Sequence, residues 1–505
     1  MAIIKYKNDY ASILRLIFFS VLAVTLTCCV SKKREKEMAL YNKHCTGCHS
    51  APKIDELPKT IWKNAILPDM FSRMEIENIN QDKYQGPFIS EATTFKPKIS
   101  VNEMVMLEQY ILDSAPDKLV ANRIPQLEKL EAFEQIPIAL DNQNGALITY
   151  LAYRNDDSEL YYGTIAGELS TYNFKNEEIT KKFQGETPVT WFNQKDTIKY
   201  VTEVGLFDPS ELEQGTIVKI SEKGSQNMLG KFHRPVHTLV KDLNSDGKDE
   251  IVISEFGNET GKLSMLVEND RAEFEKKVLL NQSGCIRTVA KDMNNDDLLD
   301  LVVLTSQARE GITILYQKEG LKFEAENILK FSPVYGSSWF ELVDYNNDGF
   351  IDIVTVNGDN ADKSYVQKPY HGMRIHLNDG NNNYEEAFFY ALNGATRVAS
   401  YDFDQDGDID FGLVSSFPDY ERASEASFVY LENMDSKNFE FKTKTLTDPD
   451  AGRWFLMDTG DIDQDGDRDI ILSSLTYTFS PTPEKLLKRW SETNVDLMIL
   501  KNRLK

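Results

Sequence analysis

The sequence predicts a small all-α unit followed by an all-β seven-bladed propeller. Two observations predict this division. An acidic loop of fixed form recurs through the C-terminal half, each copy followed by a short run of strand-forming residues. Ahead of the repeats, a short stretch with helical periodicity and a capping box surrounds one closely spaced cysteine pair. At 505 residues the chain is long enough for more than one core.

The loops begin at Asp242, Asp292, Asp344, Asp402 and Asp461, so successive starts are 50, 52, 58 and 59 residues apart. The strands that follow are Ile251-Val252-Ile253, Leu301-Val302-Val303, Ile353-Val354-Thr355, Phe411-Gly412-Leu413 and Ile470-Ile471-Leu472. Repeats of this length that hold several strands indicate propeller blades. Asp141 to Gly145 and Trp191 to Asp196 read as two worn copies, which brings the count to seven. The last repeat ends one strand short, near Leu497 to Leu500. Leu127 to Phe133 is expected to supply its outer strand and close the ring, which removes the exposed sheet edges.

Each loop has the form D-x-[DN]-x-D-[GD]-x-x-[DE]. Side chains at positions 1, 3 and 5, the carbonyl at position 7 and the carboxylate at position 9 form an oxygen cage, with glycine at position 6 making the turn. Hard oxygen donors in a flexible loop suit Ca²⁺. The candidate ligands are therefore Asp242, Asn244, Asp246, Lys248 and Glu250; Asp292, Asn294, Asp296, Leu298 and Asp300; Asp344, Asn346, Asp348, Phe350 and Asp352. Asp402, Asp404, Asp406, Asp408 and Asp410, with Asp461, Asp463, Asp465, Asp467 and Asp469, complete a set of up to five Ca²⁺ sites. One such loop is explained as a plain turn, whereas five in phase point to ions. Asp297 replaces glycine in the second copy and weakens that site. The cage closes at position 9 between strands, which sets it apart from an EF-hand. The formal charge of -24 argues against nucleic acid as a partner.

These loops, with Glu255-Phe256-Gly257-Asn258 after the first, resemble the FG-GAP (VCBS-like) repeats of integrin α-subunit propellers and related bacterial exported proteins. The resemblance covers residues 126–505. It implies structural Ca²⁺ in the hairpin between the first two strands of a blade, and partners on the opposite face.

The N-terminus carries Lys5, Lys7 and Arg15 ahead of an apolar run, Leu16 to Leu26, too short to span a bilayer comfortably. Residues 1–28 read as a signal peptide and 29–37 as a tether. Leu26-Thr27-Cys28-Cys29 resembles a bacterial lipobox, with Cys29 the lipidated residue; a plain signal peptide or a membrane anchor are the alternatives.

Residues 38–120 read as the helical unit. Pro58 to Ile66 and Pro68 to Met74 are short helices, and Ser100-Val101-Asn102-Glu103 caps a longer one. Val101, Met104, Val105, Leu107, Ile111 and Leu112 are its core candidates. Cys45-Thr46-Gly47-Cys48-His49 is the C-x-x-C-H pattern of covalent haem attachment: two thiols bond the vinyl groups and the imidazole takes the iron. Zinc is the rival, but no fourth ligand accompanies Cys45, Cys48 and His49. Methionine is the expected sixth ligand, Met70 first and Met74 second. Trp62 and Tyr84 line the pocket or belong to the core, and Cys285 is a buried free thiol. The segment resembles small class I cytochromes c, which implies one covalent haem c.

The expected function is an exported, lipid-anchored mono-haem cytochrome that carries electrons, with the Ca²⁺-stabilised propeller as docking or binding module. Its partner would be a redox protein or a surface glycan or protein, met at the periplasmic or outer face of a bacterial outer membrane. No catalytic residues are readable. The alternatives are a propeller dehydrogenase that passes electrons to its own cytochrome domain, and an adhesion or glycan-binding propeller with accessory haem.

Overall fold

The strand that follows each of the five acidic loops is buried along its whole length, as in Glu250–Glu255, Asp300–Thr305 and Asp352–Asn357. Such a strand needs a packed layer on both faces, and stacking one sheet against the next around a ring supplies it. A computed structural model describes residues 33–46, 50–77, 98–123, 126–257, 259–307, 309–361 and 365–503. The segment 1–28 read as a signal peptide, and Cys29, Cys48, His49 and Tyr84, lie outside the described residues. The chain divides into two units, Met1–Lys118 and Leu119–Lys505.

The second unit is a seven-bladed β-propeller. Blades 1 to 6 each run through four consecutive antiparallel strands from inside to outside. Their innermost strands are Ile148–Arg154, Val189–Lys195, Pro235–Lys241, Cys285–Lys291, Ser337–Val343 and Ala395–Tyr401. Blade 7 is built from Trp454–Gly460, Asp469–Ser474 and Leu497–Asn502, with Phe133–Ile138 as its outer strand. Neighbouring innermost strands touch in sequence, and the seventh touches the first, so the ring is closed.

Closure uses a segment slightly later than the sequence suggested. Phe133–Ile138 pairs in antiparallel register with Leu497–Asn502, from Asn502 opposite Phe133 to Leu497 opposite Ile138. Glu128–Lys129 instead adds a short parallel fifth strand to blade 6, against Lys444 and Thr445. The worn copies also shift. Asp141 to Gly145 precedes the innermost strand of blade 1 rather than following it; the equivalent hairpin is the turn between Arg154 and Glu159. In blade 2 that turn lies between Lys195 and Ile198, so Trp191 to Asn193 belong to the innermost strand and Asp196 alone marks the place. Turn-forming residues signal a turn without saying which of a blade's turns it is.

The first unit is helical with a small strand pair, and so is not all-α. Residues 33–45 form a helix that includes part of the segment read as a tether; its helix-forming charged residues are joined by Lys33 and Glu37, 3.6 Å apart. Lys59–Ile61, Trp62–Ile66 and Leu67–Ser72 run on as one helical stretch. Pro68 does not begin a second helix. Its missing amide is absorbed by a π-turn, in which Leu67 N–H bonds the Trp62 carbonyl. Glu75–Glu77 and Lys98–Ser100 pair in parallel.

Val101–Ser114 carries the expected capping box, with Ser100 Oγ accepting from Glu103 N–H at 3.3 Å and Glu103 Oε2 from Ser100 N–H at 3.1 Å. Met104, Leu107 and Ile111 are buried, but Val105 is 55% exposed. Glu103 also takes the Lys43 ammonium at 2.9 Å, and Tyr41 meets Tyr110 edge-on, so this helix packs against the 33–45 helix. Lys43 and the Ser100 hydrogen bonds hold the Glu103 carboxyl down at about 2. Trp62 is core, donating Nε1 to the Ile54 carbonyl at 2.9 Å.

Blades are also joined by buried acids. Glu310, 3% exposed in blade 4, accepts from Gly336 N–H, Ser337 N–H and Ser337 O–H of blade 5 at 3.2, 2.8 and 2.7 Å. Burial pushes its carboxyl up to about 7 although these bonds and Lys368 pull it down. A folded pKa above the unfolded value of roughly 4.3 means the folded state holds the extra proton. This contribution is full below about pH 4 and is lost as pH rises through about 7. Glu310→Gln does not titrate. Its stability relative to the native chain is expected to improve from pH 4.5 to about 7 and level off above that, measured as the difference in urea midpoint in chelator; a pH-independent difference refutes the assignment.

Candidate metal centres

The five acidic loops sit in blades 3 to 7, each between the innermost strand and the second. Their backbone follows one path. Position 4 is left-handed in every copy: Ser245, Asn295, Asn347, Gln405 and Gln464 have φ between 58 and 60°. Position 6 is left-handed as well. A Cβ placed on Gly247 or Gly407 would meet nothing within 4 Å, so glycine serves backbone freedom there, and Asp297 is admitted at φ 67°.

Within each loop the side chains first satisfy the turn itself. In blade 3, Asp242 accepts from Asp246 N–H at 3.2 Å and Gly247 N–H at 2.9 Å, and Asp246 accepts from Lys248 N–H at 2.8 Å. The same bonds recur in blades 4 to 7. Phe350, whose carbonyl is a candidate ligand, leaves its ring 46% exposed.

Position 9 behaves differently. It is the first residue of the second strand and is fully buried. One oxygen accepts the N–H of position 2: Leu243 to Glu250, Met293 to Asp300, Tyr345 to Asp352, Phe403 to Asp410 and Ile462 to Asp469, at 2.9 to 3.1 Å. In blades 4 to 7 the other oxygen accepts a backbone N–H of the third strand, from Gln317, Asn378, Asn433 and Asn502, at 2.7 or 2.8 Å. Position 9 is thus a clamp between loop, second strand and third strand as well as a candidate ligand.

The third-strand amides are residues that the loop pattern did not reveal. Gln317 Nε2 donates to the Leu243 carbonyl of blade 3, and Asn502 Nδ2 to the Phe403 carbonyl of blade 6, at 2.9 and 2.7 Å. Each ties its own blade to the loop of the preceding one. The available signal was a glutamine or asparagine toward the end of the third strand in each of blades 4 to 7.

The copies divide by position 3. In blades 3 to 5 it is asparagine, whose Nδ2 donates to the position-5 carboxylate at 2.9 to 3.0 Å. In blades 6 and 7 it is aspartate, which leaves like charges together. Asp402, Asp404 and Asp410 each place an oxygen within 4.8 Å of the others, as do Asp461, Asp463 and Asp465, and Asp463, Asp467 and Asp469. Burial and the neighbouring acids raise Asp404, and push Asp410 up to about 7 and Asp467 and Asp469 up to about 6. Asp467 is 4% exposed, and among the described residues neither carboxylate oxygen has a hydrogen-bond partner. Lys501 places its ammonium against Asp463. These two blades thus have the donor chemistry and the uncompensated charge that suit a hard cation; blades 3 to 5 compensate much of theirs internally.

In the first unit, Cys45 ends the 33–45 helix as a free thiol. Met70 and Met74 are half-buried, Met104 is core and Met106 is exposed. His44, beside Cys45, is buried 3.7 Å from Glu103. Among the described residues no helix is long and apolar enough to cross a membrane.

The FG-GAP-like repeat family matches residues 292–355, from the blade 4 loop through the blade 5 loop. No curated protein matches the chain. Among solved structures it is similar to the Neurospora crassa Pan2 WD40 domain, at 13% identity and a TM-score of 0.42, over 69% of this chain and 94% of that one. It is also similar to the N-terminal domain of Nup159, at 15% identity and 0.39, over 74% and 97%. A third is an auxiliary nutrient binding protein from Bacteroides ovatus, at 13% identity and 0.36, over 57% and 72%. The architecture rests on the strand pairings above and not on these likenesses.

Asp352→Ala leaves the amides of Tyr345 and Asn378 without acceptors. It is expected to cost about 2–4 kcal/mol in urea denaturation. The loss should persist in excess chelator, because the clamp is independent of any ion; a loss that vanishes in chelator refutes the clamp.

Proposed function

We propose that this chain is an exported electron-transfer protein in which a mono-haem unit precedes a Ca²⁺-braced binding propeller. The observation that carries the reading is Cys45-Thr46-Gly47-Cys48-His49. Cys45 and Cys48 would hold the haem through thioethers and His49 would take the iron. Among the described residues Cys45 is a free cysteine. Bound haem supplies one-electron transfer. Met70 is the proposed sixth ligand, since Met104 is occupied in the core.

Export, which covalent haem attachment requires, is supported by the N-terminal signal pattern, and Cys29 is the proposed lipid anchor. The protein would then work at the periplasmic or outer face of a bacterial outer membrane. The propeller would dock a redox protein or a surface glycan or protein, braced by up to five Ca²⁺. The split between aspartate and asparagine at position 3 supports tightest binding in blades 6 and 7.

Protein secreted from a haem-maturing host is expected to give a c-type pyridine haemochrome with one haem per chain. The double variant Cys45→Ala, Cys48→Ala should lose covalent haem. A haem-free mature protein, or zinc at Cys45, refutes the reading. Met70→Ala should abolish the methionine-to-iron absorption band of the oxidised protein, whereas Met74→Ala should keep it.

Calorimetric titration of chelated protein should give at most five Ca²⁺ sites, with the tightest lost in Asp404→Ala and Asp465→Ala. Each site held at a hundred times its dissociation constant stabilises the fold by about 2.7 kcal/mol. No rise in unfolding temperature with Ca²⁺ refutes the brace.

A further inference from the structure

The innermost strands share an irregularity of register, and the residue just past it occupies one equivalent position per blade. In six blades it is polar or aromatic: Tyr150, Trp191, His237, Arg287, Trp339 and Arg397. Trp191 and Trp339 belong to blades 2 and 5, which are not neighbours in the ring, yet their ring centroids are 6.5 Å apart. They therefore meet across the propeller axis. These residues lie early in strands that end at the acidic loops, so the layer sits toward the opposite end of the axis.

The layer is cationic and incompletely partnered. The Arg287 and Arg397 guanidinium carbons lie 3.6 and 4.6 Å from the Trp339 ring centroid, so one indole serves both charges. Arg287 has Glu341 at 3.6 Å, which also accepts from Trp339 Nε1 at 2.7 Å. Arg397 donates to the Thr396 carbonyl at 2.8 Å and, among the described residues, has no carboxylate in ion-pair reach. Among the described residues, Arg287 Nε and His237 Nδ1 are buried without a hydrogen-bond partner. His237 is 5% exposed and stacks on Trp191 at 4.1 Å. Arg287 keeps 16% of its side chain exposed, so solvent reaches the layer. Burial and the nearby Arg287 charge lower Arg397 to about 10, so it remains a cation at neutral pH.

We propose that this end of the axis binds a small carboxylate, gripped by Arg397 and Arg287, with its carbon body against Trp191. Orphaned buried donors are costly unless a ligand or solvent satisfies them. A guanidinium fork matches a planar carboxylate in two parallel hydrogen bonds. Glu341 and Asp458, two residues farther along their strands, act on Arg287, and Asp359 acts on Arg397. Together with the chain's charge of -24, they disfavour a dianion more than a monoanion. The site goes beyond the electron-transfer reading and does not depend on haem.

The test uses the full mature chain in Ca²⁺, titrated with acetate, glucuronate, glucose and inorganic phosphate, with tryptophan fluorescence and calorimetry as readouts. Acetate and glucuronate should bind saturably and quench acrylamide-accessible tryptophan, glucuronate more tightly for its larger body. Glucose should not bind, and phosphate should bind more weakly. Arg397→Met should weaken glucuronate roughly tenfold or more at an unchanged unfolding temperature. Absence of saturable carboxylate binding, glucose bound as well as glucuronate, or phosphate bound as tightly as acetate overturns the proposal. If Arg397→Met does not fold, Arg397→Lys serves instead: it keeps the charge without the fork, and unchanged carboxylate affinity there also overturns it.

Discussion

The carboxylate that closes each acidic loop is the interaction on which the propeller depends. It begins the second strand, is wholly buried, and spends its oxygens on backbone amides. Asp352, for example, ties the loop to the third strand, so a single side chain fixes the hairpin and the next pairing in the sheet. The third-strand amides extend the connection. Gln317 and Asn502 reach the loops of preceding blades, so that the acidic end of the ring is a circuit of clamps and not five separate turns.

Burying these acids has an electrostatic consequence that differs between blades. Where position 3 is asparagine, its amide hydrogen neutralises part of the position-5 acid and the loop is largely self-consistent. Where it is aspartate, three carboxylates crowd together and burial raises their proton affinity. The fold then has three ways to relieve the repulsion: a proton, an ammonium such as Lys501, or a hard cation. A divalent ion is the most effective of these at neutral pH, because it meets several carboxylates at once while the clamp holds the last of them in place.

Much of this was legible in the sequence, because the loops must repeat both spacing and chemistry. Five copies in phase indicated the blade length and the strands after them, and the two worn copies, though misplaced within their blades, completed the count of seven. Less was legible where one residue type serves several turns. Asp141 to Gly145 has turn chemistry but lies at the wrong corner of its blade, and Ser245 or Gln405 give no hint of a left-handed backbone. Closure was expected a few residues early, since Leu127 to Phe133 and Phe133–Ile138 are both short mixed segments and only pairing with Leu497–Asn502 distinguishes them. In the first unit the capping box was readable from Ser100 and Glu103. The continuity of the helix through Pro68 was not, because it depends on a π-turn that no residue pattern announces.

The two ends of the propeller follow opposite sequence rules for one geometric reason. At the acidic end every blade has its own loop, so the same residues recur and the repeat is easy to see. At the other end the seven strands converge on one shared space, and only a few large side chains fit within it. The equivalent position must therefore differ from blade to blade: two indoles, two guanidiniums, an imidazole and a phenol occupy six of them. A position that the fold repeats and the sequence does not is where a symmetric scaffold acquires an asymmetric site. The axial layer is accordingly the part of this molecule least visible to repeat analysis.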